Sequence, residues 1–358
     1  MTLEFFKDSR GEYAVSPADV EGKLPRIFVS GETYPAAYEL AILALHKYGT
    51  RSRTHYDQTD SDGKHLFPPS IEAKVSVEIK NPLKEPRMHL CFPDSYRGLE
   101  SYRQEVVEGI HDSWIEPGTT KWTYTYHRRL EDWNPSTNLN APDGGVLLPK
   151  GVNQIELVLQ DLERDITSKG AQATTWMPTA DPMLESNRPC LQRIWFRCYE
   201  NEEGIDLNAN WYFRSRDMKA WLMNGWGLTS LVEKVALKLS QRKNKIVRIA
   251  SIDDTSDSLH MYGNAQEMFD TYAAQMQTDE GFRNRIVRTD RNETDQEQFF
   301  QEETLAERKA LEENPHHSLG SESQQELARR LSAAIKQNPS LVSARDQKFV
   351  RDLFPEFL

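Results

Sequence analysis

The sequence predicts an α/β fold, in which helices and strands alternate along the chain. Two segments carry apolar residues at helical spacing: Tyr34–Tyr48, which Gly49 ends, and residues 153 to about 164. A third segment, Ile71–Ile79, alternates apolar and polar residues as a half-buried strand does. The aromatic-rich apolar run that begins after Cys190 is typical of a buried strand. Both kinds of element are therefore expected in one core.

Composition limits the classes of protein that this chain can represent. Its 358 residues, 38% apolar and with 8 Trp, are sufficient for one large core or two modest ones. A net charge of -11 argues against nucleic-acid binding through a broad basic face. A small phosphorylated substrate is still compatible, because two or three local arginines suffice for one phosphate.

The sequence shows no recognisable signal for a membrane or for an oxidising compartment. No stretch approaches the ~20 apolar residues that a membrane span needs, and the first residues do not resemble a signal peptide. Three cysteines do not form a disulfide framework. His316 and His317 fit a loop better than a metal site, so no metal is expected. A cytoplasmic location is predicted.

The remaining elements are read from the same signals. Residues 24–30 are predicted as a first strand, and residues 99–110 as a helix that carries Glu105. After Asn264 the chain becomes highly charged, with helices expected at residues 297–311 and 324–337. We therefore divide the chain into a catalytic domain at residues 1–285 and a charged helical C-terminal extension at residues 286–358.

The sharpest motif is a cysteine directly behind a proline, Pro189-Cys190, at the head of the aromatic-rich strand. A hairpin loop leads to a second strand that ends in Arg214-Ser215-Arg216-Asp217. A lone cysteine in an apolar run is usually a small core residue, which is our interpretation of Cys91 and Cys198. Cys190 differs because of its arginines, Arg188 and Arg214, since a nearby guanidinium lowers the pKa of a thiol.

This order of Pro-Cys followed by Arg-Ser-x-Asp resembles the thymidylate synthase superfamily, which includes the pyrimidine nucleotide hydroxymethylases. His260-x-Tyr262, after a further strand, resembles the sugar-hydroxyl contact of that family. The resemblance covers roughly residues 95 to 265. It implies a mixed β-sheet layered with helices, a homodimer formed through the sheet face, and a nucleotide and a folate as ligands.

The resemblance also implies catalytic roles. Cys190 would add to C6 of a pyrimidine nucleoside monophosphate, and Glu105 would organise the water that serves the ring. Tyr126 would help remove the C5 proton, with His127 standing where glycine is usual. An aromatic residue of a core strand is an equally good interpretation of Tyr126 or of its neighbour Tyr124. Asp217 is included among the catalytic residues and as a folate contact.

Substrate contacts follow in the same way. The phosphate would be held by Arg51 or Arg53, by Arg214 and Ser215, and by Lys169. Lys169 stands where the family has an arginine pair donated across the dimer, and a lysine lacks the bidentate geometry of arginine.

Further contacts concern the base, the sugar and the folate. Asn224 would bind the base, its amide suiting uracil better than cytosine, and His260 and Tyr262 would bind the sugar. Trp114 or Trp122 would stack on the folate. The Trp-Asp segment of the bacterial synthases is not found.

The implied reaction transfers one carbon from 5,10-methylenetetrahydrofolate to C5 of the pyrimidine. Hydride would give a methyl product, as in a thymidylate synthase, and water would give a 5-hydroxymethyl product. The missing Trp-Asp segment, the Ser-Lys-Gly sequence at Lys169 and the unusual C-terminus favour water. The alternatives are a divergent thymidylate synthase and a non-catalytic nucleotide-binding relative. Uracil or cytosine, and deoxyribose or ribose, remain open.

Overall fold

The computed structural model of the protein describes residues 3–18, 20, 22–89, 91–94, 96–112, 115, 123–133, 151–178, 181–185, 187–278, 287–288, 313–314, 321–339, 342 and 344–358.

Strands of the described chain form one ten-stranded sheet and one two-stranded sheet. They are β1 (Glu4–Asp8), β2 (Gly11–Ser16), β3 (Arg26–Gly31), β4 (Thr50–Ser52), β5 (Ser70–Ile79), β6 (Met88–His89), β7 (Gln172–Thr174), β8 (Leu191–Asn201), β9 (Gly204–Phe213), β10 (Arg216–Asp217), β11 (Val247–Met261) and β12 (Val287–Arg288). The large sheet runs β1-β2-β3-β5-β11-β9-β8-β7, with β4 on β5 and β10 on β11. Because β3–β5, β9–β11 and β10–β11 are parallel and the other pairs antiparallel, the sheet is mixed.

Six of the eight described helices occupy connections between these strands, and the last two follow β12. They are α1 (Tyr34–Tyr48), α2 (Tyr96–Glu108), α3 (Tyr126–Glu131), α4 (Gln154–Arg164), α5 (Met218–Lys243), α6 (Gln266–Thr278), α7 (Ser321–Gln337) and α8 (Ala344–Leu353). The mixed sheet with packed helices confirms the predicted α/β fold. Within the described residues, no helix is both long and apolar enough to span a bilayer.

The core lies between the large sheet and its helices. Its bulkiest fully buried side chains come from strands and helices alike and include Tyr38 of α1, Phe196 of β8, Trp211 of β9 and Trp221 of α5. Burial alternates along β9, where every second residue from Ile205 to Phe213 is buried. This alternation leaves one face of the sheet for the core and the other partly exposed.

The C-terminal helices α7 and α8 share a second, smaller apolar cluster. Ala328 and Leu331 of α7 pack there with Phe349 and Val350 of α8. The division into a catalytic domain and a C-terminal extension at residue 285 stays a prediction.

Three expectations about elements are corrected. Two strands, β1 and β2, precede the strand that was expected to be first. Tyr126 begins the helix α3 and is not a strand residue, because the Thr125 hydroxyl accepts a hydrogen bond from Arg128 N and caps the helix. His260 was expected to follow a strand, but it lies within β11, which extends to Met261. The helix expected at residues 297–311 lies outside the described residues, and the one expected at 324–337 is confirmed as α7.

Candidate active site

A cavity of about 500 Å³ opens where β8 begins, β9 and β11 end and α5 begins. The cavity is lined by nine of the predicted site residues: Glu105, Tyr126, Cys190, Arg214, Ser215, Asp217, Asn224, His260 and Tyr262. The structure therefore gathers into one place residues that were selected from well-separated parts of the sequence.

Strand pairing explains why these residues meet. Leu191 of β8 pairs with Phe213 of β9, and just beyond this pair Arg214 N donates a hydrogen bond to the Cys190 carbonyl at 3.0 Å. The short strand β10 pairs with β11, which sets Asp217 beside His260. The thiol, the Arg-Ser-x-Asp sequence and the histidine are consequently held by backbone hydrogen bonds of one sheet.

The Cys190 thiol is half-buried and lies 3.8 Å from Nη2 of Arg214. Arg214 also donates to the carbonyls of Arg188 at 2.9 Å and Pro189 at 3.0 Å. Burial raises the pKa of the Cys190 thiol, while Arg214 and Arg216 act in the opposite direction. The expectation of a lowered pKa was wrong, because desolvation outweighs the guanidinium groups.

Arg188 was expected to act beside the thiol together with Arg214. Its guanidinium instead donates to the carbonyls of Leu184 at 2.6 Å and Pro182 at 3.2 Å. Only its backbone oxygen approaches Cys190, at 3.9 Å from Sγ. The arginine beside the thiol is therefore the one that is distant in sequence.

Asp217 and His260 are neighbouring groups with opposite pKa shifts. Asp217 caps α5 by accepting from Lys219 N at 2.9 Å, and burial raises the pKa of its carboxyl. Burial lowers the pKa of His260, against the effect of Asp217. Nδ1 of His260 lies 3.2 Å from the Ser258 carbonyl, so Nδ1 carries the proton of the neutral ring. Nε2 is buried without a hydrogen-bond partner among the described residues, and in this tautomer it carries the lone pair of the ring.

Tyr124 and Tyr126 line the cavity side by side, and their ring centroids are 5.6 Å apart. Leu191 N donates to the Tyr126 hydroxyl at 3.2 Å. Burial raises the pKa of both Tyr124 and Tyr126, so both hydroxyls stay protonated. Tyr126 was the predicted catalytic tyrosine, and the structure places Tyr124 beside it in the same cavity as Cys190.

Glu105 of α2 reaches the cavity and pairs with His111, whose Nδ1 lies 2.9 Å from Oε2 of Glu105. Both side chains are largely buried, with 13% and 7% exposed respectively. Sequence reasoning missed His111, although its position soon after the helix of Glu105 is the one signal that suggests the contact.

Asn224 is held by two neighbours that sequence reasoning also missed. Nε of Arg216 donates to Oδ1 of Asn224 at 3.1 Å, and Nδ2 of Asn224 donates to the Tyr102 hydroxyl at 2.8 Å. Arg216, Tyr102 and Asn224 all line the cavity. No local signal marks Arg216, because it occupies the variable position of Arg-Ser-x-Asp.

Several predicted residues do not line the cavity of this chain. Arg51 is exposed on β4, and Arg53 donates to the Phe67 carbonyl at 2.8 Å. His55 and Tyr56, from the same loop, do line the cavity and were not predicted. Lys169 is exposed. Trp114 and Trp122 lie outside the described residues.

No group of three histidine, cysteine, aspartate or glutamate side chains suited to a metal ion occurs in the described part of the chain.

No protein-family model matches the chain. It is 28% identical over 171 residues to "Putative thymidylate synthase" of Methanosarcina barkeri, covering 48% of this chain. It is 29% identical over 195 residues to the protein of the same name from Methanosarcina mazei, covering 54% of this chain and 74% of the relative. The first match spans less than two thirds of the relative's length, 64%.

A solved structure, thermostable thymidylate synthase A from Bacillus subtilis, aligns with a TM-score of 0.47 and 13% sequence identity. The alignment covers 68% of this chain and 84% of that chain. The sequence matches confirm the resemblance to the thymidylate synthase-like superfamily that the motifs predicted.

Proposed function

We propose that this chain transfers one carbon from 5,10-methylenetetrahydrofolate to C5 of a pyrimidine nucleoside monophosphate, through a covalent bond between Cys190 Sγ and C6. The observation that carries the proposal is the cavity in which Cys190 meets Arg214, Asn224 and His260. The name of the curated archaeal relatives supports the same chemistry. The predicted location of this reaction is the cytoplasm.

Each group has a task that its surroundings allow. Arg214 lies beside the thiol and stabilises the thiolate that attacks C6. It also offers its guanidinium, with the Ser215 hydroxyl, to the phosphate. The unpartnered Nε2 of His260 accepts a hydrogen bond from a sugar hydroxyl. Glu105 receives a proton through water, and the protonated Tyr126 hydroxyl donates to that water.

The cavity also suits a second ligand beside the nucleotide. Its volume of about 500 Å³ falls within the ~300–1,000 Å³ of small-molecule sites. The rings of Tyr102, Tyr124 and Tyr262 offer surfaces for a planar group, and Asp217 offers a carboxyl whose pKa is raised. The folate supplies the transferred carbon, and in a synthase also the hydride.

We infer that water, and not hydride, reacts with the transferred carbon in the second half of the reaction, which gives a 5-hydroxymethyl product. The Trp-Asp segment of the bacterial synthases is not recognised, and Lys169 and Gly170 stand where an arginine pair is usual. The second candidate is a methyl product, made by a divergent thymidylate synthase, and the name of the relatives favours it.

A homodimer formed through the large sheet is part of the proposal. The sheet face that does not enter the core carries Phe28, 52% exposed, and Tyr199, 58% exposed, with the half-buried Trp195 and Tyr212. Nε1 of Trp195 donates to the Lys169 carbonyl at 2.9 Å, so the loop of Lys169 borders this face. Covering the face with a second copy would bring Lys169 to the dimer boundary, where it would supply a positive charge to the phosphate of the partner.

The deciding experiment incubates the purified protein with methylenetetrahydrofolate and each of dUMP, dCMP, UMP and CMP, followed by mass spectrometry. A product heavier by a hydroxymethyl group, with tetrahydrofolate released, is the expected result and identifies base and sugar. A methyl product with dihydrofolate would replace the water branch by the synthase. No turnover of any nucleotide would favour a non-catalytic nucleotide-binding relative.

A further inference from the structure

Arg216 lies at the centre of a buried polar cluster in the wall of the cavity. Only 3% of the residue is exposed, and Nη1 contacts both carboxylate oxygens of Asp254 at 2.6 Å. Nη2 donates to the Trp221 carbonyl at 2.8 Å. The remaining nitrogen, Nε, donates to Oδ1 of Asn224 at 3.1 Å. The guanidinium is therefore anchored by a carboxylate and a helix carbonyl, and its Nε points to a cavity residue.

This contact determines which end of the Asn224 amide faces which neighbour. A guanidinium can only donate, so the amide atom opposite Nε must be the oxygen. The amide nitrogen then faces the Tyr102 hydroxyl, to which it donates at 2.8 Å. Rotating the amide by half a turn would set an NH₂ group against a buried guanidinium, a donor against a donor. The observed orientation is consequently the favourable one of the two.

We propose that Arg216 is a positioning residue that sets the base selectivity of the cavity by preventing this rotation of Asn224. The inference rests on the proposed function. After its contacts with Arg216 and Tyr102, the amide has one N–H and one oxygen lone pair left for a ligand. A pyrimidine presents two adjacent polar positions, N3 and the group on C4.

Uracil and cytosine carry opposite patterns at those two positions. Uracil has a donor at N3 and an acceptor at O4, whereas cytosine has an acceptor at N3 and a donor at N4. A freely rotating amide would match either base by exchanging its two ends. An amide held in one orientation matches one base and opposes the other, which leaves buried polar groups unpaired. Arg216 thereby makes a side chain that is compatible with both pyrimidines selective for one.

The test compares Arg216→Lys with a matched control, Arg10→Lys. Lysine at 216 keeps a cation for Asp254 but lacks the fork that serves Asp254, Asn224 and the Trp221 carbonyl at once. Arg10 is likewise buried, at 6% exposed, and Nη1 donates to the buried carboxylate of Glu39 at 2.9 Å, outside the cavity lining. The double variant Arg216→Met with Asp254→Leu removes both charges together, which avoids an uncompensated buried carboxylate.

Two measurements are made on each intact protein. The first is the ratio of kcat/KM for the uracil and cytosine nucleotides, which we expect Arg216→Lys to reduce by about 10-fold, the size of one charged hydrogen bond. The second is the ¹⁵N side-chain amide signal of Asn224 without ligand, assigned by its loss in Asn224→Asp. This signal should shift in Arg216→Lys and in the double variant and remain unchanged in Arg10→Lys.

The outcomes separate this inference from the proposed function. A wild-type protein that turns over one base, with the same preference in Arg216→Lys and the double variant, overturns the inference alone. An unchanged Asn224 signal in both variants does the same. A loss of preference in Arg10→Lys would also overturn it, because any buried arginine would then have the same effect. A wild type inactive with every nucleotide overturns the proposed function, and the selectivity inference with it.

Discussion

Cys190 and Cys198 lie near opposite ends of the same strand region, and each has an arginine nearby. Burial raises the pKa of both thiols, and Arg214 beside Cys190 and Arg197 beside Cys198 act in the opposite direction. The pKa of Cys198 is raised to about 12, and only 1% of that residue is exposed. Cys190 is half-buried and lines the cavity.

A neighbouring arginine therefore does not by itself distinguish the proposed nucleophile from a core cysteine. Cys198 lies in the hydrophobic core, where the thiol acts as a small apolar group. Cys190 lies where β8 begins and β9 ends, and its thiol shares the cavity with Arg214, Asn224 and His260. Access and a second functional group distinguish the two sites.

The largest expected effect comes from exchanging the two cysteines for alanine. Cys190→Ala should lower turnover by at least about 10³-fold, because the covalent bond to C6 cannot form. Cys198→Ala should keep its kcat and lose about 1 kcal/mol of stability from the core. Steady-state kinetics and thermal unfolding check this pair, and equal kcat values in both variants would contradict the role given to Cys190.

The Glu105→Gln variant tests whether turnover needs this carboxylate in addition to the Cys190 thiol. Glu105→Gln should lower kcat by about 10²-fold or more with little change in KM, because the proton acceptor is lost. Glu108, on the same helix, pairs with Arg103 at 3.1 Å and does not line the cavity, so Glu108→Gln is the matched control. A decrease of similar size in both variants would show that helix α2 was damaged and would remove Glu105 from the mechanism.

The arginines beside the two cysteines form the next comparison. Arg214→Gln should raise KM for the nucleotide about 10–100-fold, since a charged hydrogen bond to phosphate contributes ~1.5–3 kcal/mol. Arg197→Gln should leave KM unchanged, because its guanidinium donates to the Thr167 carbonyl. Measuring the corresponding nucleoside separates the phosphate contribution: Arg214→Gln should affect nucleoside binding far less than nucleotide binding.

The smallest effect concerns pH. Because burial raises the pKa of Cys190, alkylation by iodoacetamide should still accelerate above pH ~8.5, the ordinary thiol value. Arg214 lowers this pKa, so Arg214→Gln should move the midpoint to higher pH. Peptide mapping across a pH series gives the rate at Cys190 alone. A midpoint that stays in place or falls would show that Arg214 does not influence the thiol.

The hairpin and the cavity residues beside it could be predicted from the sequence. The apolar alternation and the loop between β8 and β9 predict a hairpin, and a hairpin necessarily brings its open ends together. Cys190 and Arg214 are therefore neighbours by local pattern alone. Glu105 was selected because the resemblance implies a glutamate inside a core helix, and apolar residues follow Glu105 in the sequence.

Contacts between segments that are distant in the sequence could not be predicted from it. The pairing of Arg216 with Asp254 depends on the parallel packing of β10 and β11, which no spacing in the sequence encodes. The pKa of Cys190 was misjudged because desolvation depends on packing around the thiol. Tyr126 was weighed as a strand residue because the β-branched and aromatic run before it concealed the capping role of Thr125.

Helix α5 joins the candidate site to the hydrophobic core. Its first turns carry Asn224 to the cavity, while later residues such as Leu231 and Val235 are fully buried. Amide hydrogens at the start of this helix should therefore exchange with solvent in the same slow opening as the core. A destabilising substitution far from the cavity would then reduce the number of competent molecules, while each folded molecule kept its full rate.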